Sequence, residues 1–221
     1  MKRKQAITFI LLLMSTFITY SCDSHEPYDP NVHIGYVLCD DHSCMDTTRY
    51  FNQSIRKAVG VVFAEETDEH PALIVSLKET SGVFCDSLGM ENGTSGSIDK
   101  YDGFTNTIAM YKSYNPDDGH GSPIAMDMLY FHEYGQSDYI PSVAEMYQLV
   151  KALSKVNPII ERCGGTPIQT LGNCWYWTST EVKENPGVQA WLCSAVTGRT
   201  MPTSKTESHR VRAIFQLNDH K

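Results

Sequence analysis

Seven cysteines and eight histidines are the residues of this 221-residue chain best suited to bond formation or metal binding. Cys22 ends an apolar N-terminal run and belongs with it, which leaves Cys39, Cys44, Cys85, Cys163, Cys174 and Cys193. An even set in an exported chain permits up to three disulfides, with 15 ways of joining them. Cys39 and Cys44 flank Asp40-Asp41-His42-Ser43, a turn-like sequence that a bond between them would close as a hairpin. Cys163 and Cys174 bracket a loop with Gly164-Gly165 and Gly172-Asn173, and are the second candidate pair. Spacing does not establish either geometry. Zinc is the competing use of cysteine, but neither C-x₂-C nor H-x₃₋₅-H spacing occurs, so no metal is expected.

Catalytic signatures are equally sparse. His132-Glu133 opens like the zinc-protease motif H-E-x-x-H, but Gln136 stands where the second histidine is needed. There is no G-x-S-x-G nucleophile elbow. Gly93-Thr94-Ser95-Gly96 lacks the lysine and helix of a phosphate loop. None of the histidines has an obvious partner in sequence. The expectation is a protein that is not an enzyme and needs no cofactor.

The elements that would carry a binding surface follow from periodicity. Val32–Leu38, Ala58–Phe63 and Ala72–Leu77 are β-branched runs separated by turn chemistry and read as strands. Glu65, Glu66, Asp68 and Glu69 lie between two of them and read as a solvated hairpin loop, with a calcium site as the alternative. Residues 86–103, rich in Gly, Ser and Asn, read as a long loop, and 104–113 and 123–133 as helices. After Pro141, Ser142 and Glu145 form an S-x-x-E capping box, in which each side chain satisfies a free N–H at a helix start. Met146, Leu149, Val150 and Leu153 then give one apolar stripe, in a helix expected to reach Lys155. Glu145 is therefore read as structural. Strands return at Trp175–Thr180, Val188–Ala195 and Arg210–Leu217, the last with Val211, Ala213, Phe215 and Leu217 facing a core. Strands, then helices, then strands indicate an α+β fold.

The N-terminus reads as an address. Lys2-Arg3-Lys4 precede the apolar run Ala6–Tyr20, too short for a span and suited to a signal peptide. Thr19-Tyr20-Ser21-Cys22 resembles a bacterial lipobox, in which the cysteine is lipidated and becomes the new N-terminus. The alternative is an ordinary cleaved signal, with Cys22 free or disulfide-bonded. The expected organisation is a signal over 1–21, an anchor and tether over 22–31, and one domain over 32–221. Removal of the signal leaves 15 Lys and Arg against 26 Asp and Glu, moving the net charge from −8 to −11. An acidic chain without a basic block repels phosphate backbones, so nucleic acid is not an expected partner. Lipidation would make the membrane a partner through the anchor. Asp23, Ser24 and Glu26 resemble surface-export stretches of some Gram-negative lipoproteins, which places the domain in the cell envelope, at the outer membrane or cell surface.

Three segments together resemble one family. Tyr139-Ile140-Pro141-Ser142-Val143-Ala144-Glu145-Met146 is similar to its "W-x-L-P-[ST]-x-x-E-[LW]" helix start, and Tyr176-Trp177-Thr178-Ser179-Thr180-Glu181 to its "Y-W-S-S-T-E" strand. Ala190-Trp191, Gly198 and Val211-Arg212-Ala213-Ile214 are similar to its terminal pattern "A-W … G … V-R-x-[VI]". This is the Lcl-type C-terminal domain family, related in fold to C-type lectins and formylglycine-generating enzymes, and the match is firmest over 136–216. The resemblance implies a C-type-lectin-like α+β domain with antiparallel sheets, two or three helices, and Ser142, Glu145, Trp177 and Arg212 as structural residues. It implies no reaction. Cys174 and Cys193 lack the Gly- and Arg-rich surroundings of the formylglycine-generating pair. Asn115-Pro116-Asp117 lacks the W-N-D that accompanies the calcium site of true C-type lectins. With Trp177 in the core, alternation along the strand buries Trp175 and exposes Tyr176. Tyr176 and Trp191, with Arg199 and Lys205 from loops, are then the candidate surface for an unknown glycan or protein ligand, unless all three tryptophans serve packing alone. The leading expectation is a non-enzymatic, lipid-anchored, adhesin-like binding module. The runner-up is a structural or accessory subunit of a fimbrial or envelope assembly, ahead of an enzyme with an unfamiliar site.

Overall fold

β-Branched and aromatic residues build ten strands in two sheets, seen in a computed structural model that describes residues 31–130 and 138–217. The signal, Cys22, the tether as far as residue 30, and His132-Glu133 lie outside the described residues. In the first sheet the order is β10(Ile214–Gln216), β4(Leu73–Ser76), β3(Ala58–Ala64), β1(Val37–Cys39), β2(Cys44–Met45), and every pair is antiparallel. In the second the order is β5(Thr80–Val83), β9(Ser208–Val211), β6(Trp175–Glu181), β7(Gln189–Ser194), β8(Thr200–Ser204). Here β6 and β9 meet in parallel and the other pairs are antiparallel. Four helices are described, against the two or three expected: α1(Thr47–Gln53), α2(Gly103–Lys112), α3(Pro123–Tyr130) and α4(Val143–Arg162). The fold is α+β. No helix among the described residues is long and apolar enough to cross a membrane.

The first sheet is buried on both faces, so β3 reads as an almost unbroken apolar run. Val61 and Phe63 pack toward α4 with Met146, Leu149, Leu153 and Val156, while Val62 packs oppositely with Leu38, Ile74 and Phe215. The acidic loop Glu65–Glu69 is the exposed turn between β3 and β4.

The helix α4 begins as its capping box requires. The Ser142 N–H donates to Glu145 Oε2 at 2.7 Å, and the Glu145 N–H returns to Ser142 Oγ at 3.4 Å. It does not end at Lys155 but continues through Pro158 to Arg162. An interior proline costs about 3 kcal/mol. Val156, Ile159 and Ile160 extend the stripe into the core beyond it, and each buried aliphatic side chain contributes about 1.5–3 kcal/mol. The burial outweighs the missing hydrogen bond.

A second departure lies near the C-terminus, where one strand over 210–217 is expected. Instead the chain leaves the second sheet after Val211 and enters the first at Ile214. Consecutive residues are buried on all sides of this crossing: Val211 and Ala213 in one cluster, Ile214 in a second, Phe215 in a third.

Glu145 lies fully buried and also accepts from the Tyr139 hydroxyl at 3.1 Å. Burial pushes its carboxyl up from 4.5 to about 7, against the pull of the Ser142 and Tyr139 hydrogen bonds. The folded state thus holds this proton more tightly than the unfolded chain. Its contribution to stability is full below 4.5 and is lost as pH rises through about 7. Glu145→Gln keeps an acceptor for the Ser142 N–H and removes the titration. Chemical unfolding as a function of pH is expected to show the variant gaining on the parent across that window; a constant difference would contradict the assignment.

Candidate functional site

The second half of β6 is polar yet buried, and that run organises the site. Thr178, Ser179, Thr180 and Glu181 are all shielded from solvent, and each reaches a different neighbour. Thr178 Oγ1 donates to the Trp191 carbonyl at 2.8 Å, and the Ser179 N–H to the Pro141 carbonyl at 2.8 Å. Thr180 Oγ1 accepts from the Val143 N–H at 3.3 Å. Glu181 accepts from the backbone N–H groups of Asn92 at 2.7 Å and Thr94 at 3.0 Å, and from Thr94 Oγ1 at 3.1 Å. Its charge is matched by Lys205, whose Nζ lies 2.6 Å from Glu181 Oε1. The other two ammonium donors reach the Met90 carbonyl at 2.8 Å and the Pro186 carbonyl at 2.7 Å. A buried pair is tolerated only with its remaining valences filled, as they are here.

This hub ties the long loop after β5 to the second sheet. Farther along, the Ser95 N–H donates to Asn106 Oδ1 at 3.0 Å and its hydroxyl to Asp102 Oδ2 at 2.6 Å, anchoring the loop on the start of α2. Gly96 adopts φ +63°, a conformation that favours glycine, and its missing side chain leaves room for Lys183: a Cβ there would lie 3.3 Å from Lys183 Cβ. The result is a cleft of about 470 Å³ between the loop Ser95–Lys100, the turn Lys183-Glu184 and Trp191 on β7. Trp191 is half-buried there, between the buried Ala190 and Leu192. Ile98, 44% exposed, adds a second apolar surface. Around them stand two carboxylates, Asp99 and Glu184, two ammonium groups, Lys100 and Lys183, and the hydroxyls of Ser95 and Ser97. Among the described residues, no group of three His, Cys, Asp or Glu side chains could hold a metal ion.

No family model matches the chain, and no curated protein does. Among solved structures, a fimbrial protein from Bacteroides ovatus superposes with a TM-score of 0.60 over 84% of this chain, at 14% identity. The two share a fold. The chain corresponds to 49% of that protein, so it spans about half the length of its fimbrial neighbour.

Of the four residues expected to form one contact surface, the structure brings only Trp191 to the cleft. Tyr176 is fully buried: its hydroxyl donates to Glu79 Oε2 at 2.9 Å and accepts from the Gln169 N–H at 2.8 Å. The expectation of an exposed Tyr176 fails because both faces of β6 are covered. Tyr176 faces α4, while Trp177 faces Phe84 and donates from Nε1 to the Gly82 carbonyl at 3.1 Å. Trp175 is half-buried. Lys205 is likewise buried, and reaches the cleft only through the loop that it holds. Arg199 is exposed on the turn between β7 and β8, outside the cleft lining. Glycine and serine content marked 86–103 as loop, but nothing in sequence brought Lys183 and Glu184 to it.

Neither expected disulfide is formed: all six described cysteines are free thiols. The hairpin between Cys39 and Cys44 exists, but its register pairs Cys44 with Leu38, so the two thiols project from opposite faces. Cys174 precedes β6, with its Sγ 3.8 Å from Ser194 Oγ of β7, whereas Cys163 closes α4 beside the first sheet.

Proposed function

We propose that this protein is a non-enzymatic binding module of the bacterial cell envelope, and that it takes a glycan in the cleft walled by Trp191. One observation carries the reading: a half-buried indole beside a rigidly held polar loop. The apolar C–H face of a sugar ring fits against an aromatic ring, while paired carboxylates, ammonium groups and hydroxyls meet its hydroxyls. Two acids and two bases leave the cleft without a strong field of either sign, which suits an uncharged chain of sugars better than a polyanion. The two-sheet α+β architecture fits a C-type-lectin-like, Lcl-type domain using a loop-built site without calcium. The fimbrial neighbour fits a surface location. The basic and apolar N-terminus ending at Cys22 supports a lipid anchor at the outer membrane. Cys22→Ser is expected to abolish labelling by a fatty-acid probe.

Glycan-array binding tests the reading. The protein is expected to capture neutral oligosaccharides, and Trp191→Ala to lose about 30-fold in affinity, since truncating an aromatic hot spot costs about 2 kcal/mol or more. Capture unchanged by Trp191→Ala would exclude the cleft. A second reading, an accessory subunit of a fimbrial or envelope assembly, is favoured by the same neighbour. Isolation of the native protein separates the two: a stable stoichiometric complex supports assembly, and a free monomer supports ligand capture.

A further inference from the structure

We infer that the cavity between the C-terminal end of α4, the start of β3 and the end of β4 is a second binding site, built for a small carboxylate with an apolar body. Its volume is about 440 Å³, the size of a small-molecule site. It shares no lining residue with the Trp191 cleft.

Backbone geometry fixes its walls. Gly164 adopts φ +78°, which turns the chain sharply out of α4, and the Gly165 N–H closes that turn on the Ile160 carbonyl at 2.9 Å. A Cβ on Gly165 would lie 2.9 Å from both the Cβ and the carbonyl oxygen of Leu77, so glycine is what lets the turn press against the chain leaving β4. The Thr166 N–H then donates to the same Leu77 carbonyl at 3.0 Å. Cys163 and Thr166 are thereby held in one wall of the cavity, with Ala58 and Val59 of β3 in another.

Hydrocarbon and charge divide the lining. Ala58, Val59, Leu77 and Phe215 offer apolar surface, while Lys57, Lys78, Glu79 and Asp138 bring two charges of each sign. The balance tips positive because Glu79 is already engaged by two cations, Arg210 at Oε1 and Arg212 at Oε2. The Arg212 guanidinium sits directly behind the wall: its acceptors are the carbonyls of Ser76, Lys78 and Thr166 and the Glu79 carboxylate, and all four residues line the cavity. Four cations therefore stand against two carboxylates here, in a chain whose net charge is −8. Such a local field attracts an anion. A lysine ammonium carries three donors, so it holds a carboxylate oxygen alongside the protein contacts that it makes. An acyl chain on that carboxylate covers the apolar walls and removes them from water.

Titration of the folded full chain with octanoate, beside octanamide, tests the site. Octanoate is expected to bind saturably and about tenfold tighter than the amide, which has the same chain without the charge. Lys57→Gln combined with Lys78→Gln is expected to remove that advantage. Cys163, half-buried in the wall, supplies a readout that needs no substitution. Burial pushes its thiol up to about 11, so iodoacetamide alkylation is followed in mild alkali. Octanoate at ten times its dissociation constant is expected to slow that alkylation about tenfold. Cys174, half-buried ahead of β6, is expected to react at an unchanged rate. The Trp191 indole resonance is expected to stay unmoved, which reads this site apart from the glycan cleft. Equal affinity for acid and amide, a Cys163 as reactive with octanoate bound as without it, or a shift confined to the Trp191 indole overturns the assignment.

Discussion

Lys205→Met is expected to lower the unfolding free energy by about 3–5 kcal/mol, the range for removing one partner of a buried ion pair. The methionine fills much of the same volume, so the loss is electrostatic and not a packing defect. It leaves the Glu181 carboxylate buried without its cation, and the carbonyls of Met90 and Pro186 without a donor. Denaturant unfolding measures the loss. Adding Glu181→Gln to Lys205→Met is expected to restore part of it, because a neutral amide needs no counter-charge while it still accepts from the Asn92 N–H. A double variant as unstable as the sum of the singles would show that the pair is not coupled. Hydrogen exchange adds a local readout: the Asn92 and Thr94 amides, both bound to Glu181, are expected to lose protection first.

Arg212→Met is the second large effect, again about 3–5 kcal/mol, and its origin is distributed over more groups. The guanidinium is fully buried where the chain changes sheets. It donates to the carbonyls of Ser76 at 3.1 Å, Lys78 at 3.0 Å and Thr166 at 2.7 Å, and to Glu79 Oε2 at 2.9 Å. Glu79 in turn accepts from Arg210 at 2.5 Å and from the Tyr176 hydroxyl. One side chain thus ties the end of β4, the loop after α4 and the β9–β10 crossing. Desolvation lowers the affinity of the guanidinium for its proton, and Glu79 and Tyr176 offset this. Arg212→Lys is expected to recover little, because a single ammonium cannot span acceptors that a planar fork reaches together. Near-parental thermal stability in Arg212→Lys would show that charge alone suffices.

Local signals carried the elements well. The S-x-x-E box marked the start of α4, and β-branched runs located β3, β4, β6 and β7, because caps and pleated strands depend on neighbours within a few residues. The helix α1 is missed despite a local signal, the Asp46 side chain capping the Arg49 N–H; the other misses depend on partners far away in sequence. Lys205 is buried because Met90 and Glu181 supply its acceptors, 115 and 24 residues distant. Tyr176 is buried because its face of β6 packs into the core under α4, a covering that alternation along one strand does not encode. Strand-like alternation over 210–217 could not show that residues on either side of Arg212 join different sheets. The cleft combines a loop, a turn and one strand residue, so only Trp191 was recognisable beforehand, as a large aromatic in a strand.

Ligand capture in the Trp191 cleft is best tested by titrating the isotopically labelled protein with an array-selected neutral oligosaccharide and following amide and indole resonances. The largest shifts are expected at the Trp191 indole N–H and the amides of Ser95–Lys100, Lys183 and Glu184. Shifts gathered elsewhere, for instance around Arg199, with the Trp191 indole unmoved, would contradict the account.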